Sequence, residues 1–290
     1  MRIRATVAAV TGALALSALV APAAQADAQG TASVDKPSAA ERFGASSTKS
    51  TFGGSVTAEA LPVVSKVTVN SGKDLVLGTT AVKTFTVSLT ASHATGVEDA
   101  YIDLWHGTDV ESDIDGLLLP NEDAATCTAS SATTSTCKLT ITATPGIYGD
   151  LYKNALAGTW HVTAAVLAGD GSVYGNDFYK THKVKRAAKV TVNAAPEPVK
   201  KGKTITVTGK LSRANWETGV YAGYSTQKVV LQFRKKSATT YTNVKGITTS
   251  TTGALKTTTT AKVDGYYRFT FAGTGTTGTA TAAGDYVDVK

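Results

Sequence analysis

The chain is 290 residues long, 42% hydrophobic and 18% charged, with a formal net charge of +7. The chain has two cysteines and four histidines, but no His or further Cys sits at metal-ligand spacing beside the cysteine pair, so a structural zinc cage of about four ligands is not expected. The length suffices for two small domains.

The N-terminus reads Met1-Arg2-Ile3-Arg4, then an apolar run from Ala5 to Val20, then Ala24-Gln25-Ala26 before Asp27. A basic start, an apolar middle and an A-x-A site in that order predict a cleaved secretory signal peptide over 1–26. The competing reading, an uncleaved anchor, is weakened by Thr6, Thr11, Gly12 and Ser17 inside the run. No later segment is long and apolar enough to span a bilayer. The expected location is therefore extracellular, free or associated with a cell wall. Residues 27–61 are rich in Ala, Ser, Thr and Gly without sustained periodicity and read as a disordered leader or linker.

From Lys66 onward the pattern is β: short alternating runs, many Thr and Val, and Gly-marked turns. Between Glu98 and Asp123 lie nine carboxylates with no Lys or Arg among them, a density that water or a cation must relieve. Within it, Glu111-x-Asp113-x-Asp115-Gly116-x5-Glu122 follows the spacing of an EF-hand calcium loop. Glu at the first position, a strand-like Tyr101–Trp105 and Pro120 argue against a helix–loop–helix. What stays open is a looser calcium site on these four carboxylates or a solvated acidic loop. Cys127 and Cys137 follow, enclosing a Ser-, Thr- and Ala-rich stretch, and are expected to form a disulfide that pins a hairpin tip.

An internal repeat organises the remainder. Lys66-Val67-Thr68-Val69-Asn70 recurs as Lys189-Val190-Thr191-Val192-Asn193, and Lys83-Thr84-Phe85-Thr86-Val87 as Lys203-Thr204-Ile205-Thr206-Val207. Gly158-Thr159-Trp160-His161-Val162 then matches Gly265-Tyr266-Tyr267-Arg268-Phe269. Three matches in one order predict two like modules, 62–187 and 188–290. In the second, Ile205, Val207 and Leu211 alternate with Thr and Lys, Val229, Leu231 and Phe233 with Val230, Gln232 and Arg234, and Tyr267, Phe269 and Phe271 with Tyr266, Arg268 and Thr270. One apolar face per strand is what two packed sheets require.

Charge divides along the same boundary. Residues 27–187 carry 12 Lys and Arg against 17 Asp and Glu, a net of −5, whereas 188–290 carry 15 against 5, a net of +10. Lys200-Lys201-Gly202-Lys203 and Arg234-Lys235-Lys236 suit an anionic polymer or plain solubilisation. Nucleic acid is disfavoured, because no aromatic residue is interleaved among these lysines to stack on bases. Trp216, Tyr221 and Tyr224 precede a strand, either as a stacking surface for sugar rings or as core over a sheet end.

Gly158-x-Trp160-x-Val162 and Asp264-Gly265-x-Tyr267-x-Phe269 resemble the start of strand F in immunoglobulin-like domains. From Lys189-Val190-Thr191-Val192 to Asp285-Tyr286-Val287-Asp288-Val289, the second module resembles the immunoglobulin-like repeats of actinobacterial secreted proteins, some loosely labelled calcium-binding. The resemblance implies an all-β fold of two tandem β-sandwiches and an extracellular location. It also implies a strand-F tyrosine bonded back to the preceding corner, a role that Tyr267 fits and Trp160 replaces in the first module.

Nothing in the chain assembles a catalytic constellation: no H-E-x-x-H, no G-x-S-x-G elbow, no P-loop and no Cys-His pair, and His161 is expected to face solvent. The sequence thus reads as a non-catalytic secreted or wall-associated binding or structural protein. A cell-wall polymer or extracellular polysaccharide would be its partner. A calcium-dependent binding protein and a carbohydrate-binding module are the alternatives.

Overall fold

The computed structural model describes residues 36–44 and 61–290; the expected signal peptide lies outside them. Ten strands build the first module: β1 (Val63–Val69), β2 (Leu75–Leu77), β3 (Lys83–Ser92), β4 (Val97–Tyr101) and β5 (Leu104–Asp109), then β6 (Asp113–Leu118), β7 (Thr126–Ala129), β8 (Thr134–Ala143), β9 (Gly158–Ala168) and β10 (Val173–Arg186). One sheet runs β1-β3-β8-β7; the other runs β2-β10-β9-β5-β6, with β4 also on β9. Antiparallel pairing dominates, but β2 lies parallel to β10. This is the strand order of an immunoglobulin-like sandwich.

Period-two alternation explains the packing. Phe85, Val87, Leu89 and Ala91 of β3 point inward against Leu139, Ile141 and Ala143 of β8, and Trp160, Val162, Ala164 and Val166 of β9 close the core from the other sheet.

The second module contains β11 (Ala188–Val190), β12 (Asn193–Ala195), β13 (Thr204–Asn215), β14 (Val220–Gly223) and β15 (Lys228–Lys235), then β16 (Thr242–Thr248), β17 (Ala254–Thr260), β18 (Gly265–Phe271), β19 (Ala280–Thr281) and β20 (Asp285–Val287). Here β11, β12, β14 and β17 pair with β13, while β16-β15-β18 forms the facing sheet with β19 and β20 on β18. Ile205, Val207, Leu211, Val229, Leu231 and Phe269 fill the space between. The three sequence repeats fall on equivalent strands, since β1 and β11–β12 each pair with the next long strand, β3 and β13.

A single residue, Ala187, separates β10 from β11, and the described residues belong to one compact unit. Part of the expected disordered leader also departs from that description. Residues 39–42 form α1 (Ala39–Arg42), one turn with a capping box between Ser38 and Glu41, lying on β10.

Candidate functional site

The acidic run is spread over a turn and a strand. Glu111 sits exposed in the β5–β6 turn, and Asp113 and Asp115 lie on β6, alternating with inward Ile114 and Gly116. Three of the four carboxylates have a protein partner of their own. Asp113 accepts from the Thr108 amide at 3.1 Å, Asp115 meets Lys153 at 2.9 Å and His106, and Glu122 accepts from the Thr140 amide at 2.8 Å. Among the described residues, no three His, Cys, Asp or Glu side chains gather to hold a metal ion. The spacing has a second physical source: residues at every second position also share one face of a strand. Gly116 is kept small by packing, since a Cβ there would lie 2.8 Å from the Trp160 ring.

Asp115 is held below its usual pKa. Burial opposes ionisation, but the hydrogen bonds from Lys153 and His106 outweigh it. A depressed folded pKa contributes stability above the unfolded value of about 3.9, lost as pH falls through the folded one. The Asp115→Asn variant is therefore expected to melt below wild type at neutral pH. The two melting temperatures should converge as the pH falls below the unfolded value and through the lowered folded one, as thermal melts across the acid range will show.

Trp216, Tyr221 and Tyr224 pack on the cores of the two sandwiches. Trp216 is fully buried and joins the core of the first sandwich, its indole N–H donating to the Gly78 carbonyl at 2.8 Å. Tyr221 packs against that same core under the Lys189 ammonium, 3.9 Å from its ring. Tyr224 packs on the second core, covered by the Arg213 guanidinium at 4.0 Å.

The three residues thus belong to the junction between the sandwiches. Asn154 sits at its centre, accepting from the Trp216 amide at 3.0 Å and from Arg186, and donating to Asn215 at 2.8 Å. Burial, and then the neighbouring Arg213, lowers Arg186 to about 10. Its backbone bridges to the second sandwich, accepting from the Gly278 amide at 2.9 Å.

Cys127 and Cys137 are directly opposed across β7 and β8 and form the disulfide. The corner bond in the first sandwich is made by Trp160, whose indole N–H donates to the Leu156 carbonyl at 2.7 Å. Tyr267 instead packs on Phe233 at 4.7 Å. His161 is not simply solvated: it stacks on Trp105 at 4.4 Å and meets Phe178 edge-on.

The feature that sequence reading missed is on the outer face of the second sandwich. Register places Gln232 opposite Arg268, and Arg234 opposite Tyr266, which in turn faces Tyr286. The Arg234 guanidinium lies 4.3 Å over the Tyr266 ring and 5.3 Å from Tyr241; Arg268 lies 3.7 Å over Tyr241. Lys236 extends the array over Tyr286 at 5.4 Å. Gln232 fixes Arg268 by accepting from its Nε at 2.9 Å, and itself donates to Asn243 at 2.9 Å. Gly284 leaves room for Tyr241, whose hydroxyl would stand 2.1 Å from a Cβ there. Cations and aromatic rings are thus interleaved in space across β15, β18 and β20, although they are not in sequence. Arg234 also donates from Nη1 to the Ala238 carbonyl at 2.6 Å, and the remaining N–H groups of the two stacked guanidiniums suit carboxylate or phosphate, in the module with the net of +10.

No family model matches the chain, and no curated protein matches it. Among solved structures, the fibronectin(III)-like modules of Clostridium thermocellum CbhA align at 11% identity and a TM-score of 0.30, covering 77% of this chain and 93% of that one. The D00-D0 domain of intimin aligns at 16% identity and a TM-score of 0.25, covering 77% and 99%. The full ectodomain of mouse nectin-like molecule 4 aligns at 14% identity and a TM-score of 0.25, covering 80% and 65%. At these values the comparisons carry nothing across to this chain, and the sandwich architecture rests on its own strand order.

Proposed function

We propose that the chain is a non-catalytic extracellular binding protein whose second sandwich presents its cationic, tyrosine-rich sheet face to an anionic polymer bearing phosphate or carboxylate groups. The arrangement of Arg234, Arg268 and Lys236 on Tyr241, Tyr266 and Tyr286 carries this reading. Clustered, pre-positioned guanidiniums give both attraction and geometry. Because all three rings are already covered by cations, unpaired bases find no open stacking platform, and a glycan fits better than nucleic acid. Export is supported by the signal-peptide pattern over 1–26, and the disulfide is compatible with an oxidising compartment.

The test is a calorimetric titration with polyglycerol phosphate and with polygalacturonate at rising salt, the two arms separating phosphate from carboxylate. Affinity is expected to fall as salt rises. The Arg234→Gln/Arg268→Gln variant is expected to bind on the order of tenfold more weakly, with a shallower salt dependence. A Lys200→Gln/Lys201→Gln variant removes the same charge from a turn and should bind almost as wild type. Equal weakening of both variants would reduce the effect to net charge and overturn the reading.

A further inference from the structure

The outward face of a sandwich sheet is normally wet and polar. On the first sandwich, the outward positions Tyr101, Asp103, Trp105, Thr163 and Ala165 are instead fully buried. Over them lies the segment of residues 36–44. Lys36, with only 2% of its side chain exposed, reaches Asp103 at 3.2 Å and also pairs with Asp177. Tyr101 donates its hydroxyl to Asp103 at 2.8 Å, the Thr163 hydroxyl donates to Asp177 at 3.2 Å, and the Trp105 indole N–H donates to the Asp177 carbonyl at 2.9 Å. Arg42 lies 5.0 Å over the Tyr101 ring and donates to the Glu122 carbonyl. Gly175 admits the helix, since a Cβ there would sit 3.1 Å from that of Ala39.

This is a socket shaped for an ammonium group, and it is not saturated: Oδ1 of Asp103 is buried without a hydrogen-bond partner. The segment that fills it has little independent reason to stay. One helical turn does not persist alone, and burying an ammonium–carboxylate pair returns little net free energy against its desolvation. What holds the segment is the match of its ammonium to two carboxylates, together with its being part of the same chain, which makes docking intramolecular.

We propose that this face is a peptide-binding groove that recognises a lysine-centred segment, and that residues 36–44 are an exchangeable strap, docked in cis and replaceable by the same segment of a second copy of the chain. The outcome in dilute solution is a closed monomer; at high concentration, straps exchange between copies.

A fluorescein-labelled synthetic peptide of residues 34–44, followed by anisotropy against the full chain, tests this. Wild type should bind it weakly, because its own strap competes. Lys36→Met should bind it at least tenfold more tightly, and adding Asp103→Asn should remove that gain. A peptide carrying methionine in place of its lysine should not bind. Hydrogen exchange on wild type provides an arm that needs no variant. The Arg42 and Phe43 amides, which donate to the Ser38 and Ala39 carbonyls, should exchange at least a hundredfold faster than the Thr163 amide on β9. Equal protection at these sites, failure of Lys36→Met to fold, or no tighter binding by that variant would each show a fixed structural segment and overturn the proposal.

Discussion

Trp216→Ala is expected to cost about 3–5 kcal/mol of unfolding free energy and to uncouple the two sandwiches. The residue lies in the second half of the chain, just beyond β13, but its indole is buried in the first core. Truncation opens a cavity there and leaves the Gly78 carbonyl without the indole N–H at 2.8 Å. It also weakens the seat of Asn154, to which the Trp216 amide donates. Two probes separate the halves. The remaining tryptophans, Trp105 and Trp160, both belong to the first sandwich, so fluorescence follows that module alone, while far-ultraviolet circular dichroism follows both. In urea, wild type should unfold with coincident curves. The variant's fluorescence transition should move to lower urea, ahead of the second phase seen by dichroism. An unchanged fluorescence midpoint would remove Trp216 from its role as the shared anchor.

The second large effect concerns the disulfide. Cys127 and Cys137 are separated by 10 positions and stand directly opposite each other in the β7–β8 hairpin. Closing a loop of this length restrains the unfolded chain by about 3 kcal/mol, and Cys137 is also buried in the first core. The Cys127→Ser/Cys137→Ser variant should lose about that amount. Wild type in dithiothreitol should move to nearly the same fluorescence midpoint, with the second sandwich unaffected. A reduced protein that unfolds at the oxidised midpoint would mean that the hairpin's own hydrogen bonds already fix the tip.

Much of the fold was legible because alternation is a direct physical signal. Ile205, Val207 and Leu211, read as one face of a strand, are all buried, and the repeats at Lys66 and Lys189 mark corresponding edge strands of the two sandwiches. The candidate sites were harder, for distinct physical reasons. The acidic spacing around Asp113 and Asp115 satisfies a calcium loop and a strand equally well, and only the inward Ile114 and Gly116 separate the two. Trp216 followed the sequence boundary in the reading but not in space, because a junction with no linker lets a side chain cross it.

The arginine–tyrosine array escaped detection because its members sit far apart in sequence. Arg234 meets Tyr266, and Arg268 meets Tyr241, through strand register alone. Scanning for aromatics beside lysines therefore pointed away from it. The strap at Lys36 gave no warning either, since a single lysine in an Ala- and Ser-rich stretch carries no periodicity. Its meaning comes from Asp103 and Asp177, on distant strands.

The binding face of the second sandwich is tested most directly by two-dimensional NMR of the arginine Nε–Hε groups during titration with polyglycerol phosphate. Each arginine has a distinct environment, so the chain supplies its own controls. The Arg234 and Arg268 signals should shift progressively and saturate together, while Arg186 and Arg213 at the junction, and Arg42 on the strap, should stay in place. Shifts centred on those junction or strap arginines, or no shift at Arg234 and Arg268 at saturating polymer, would contradict the account.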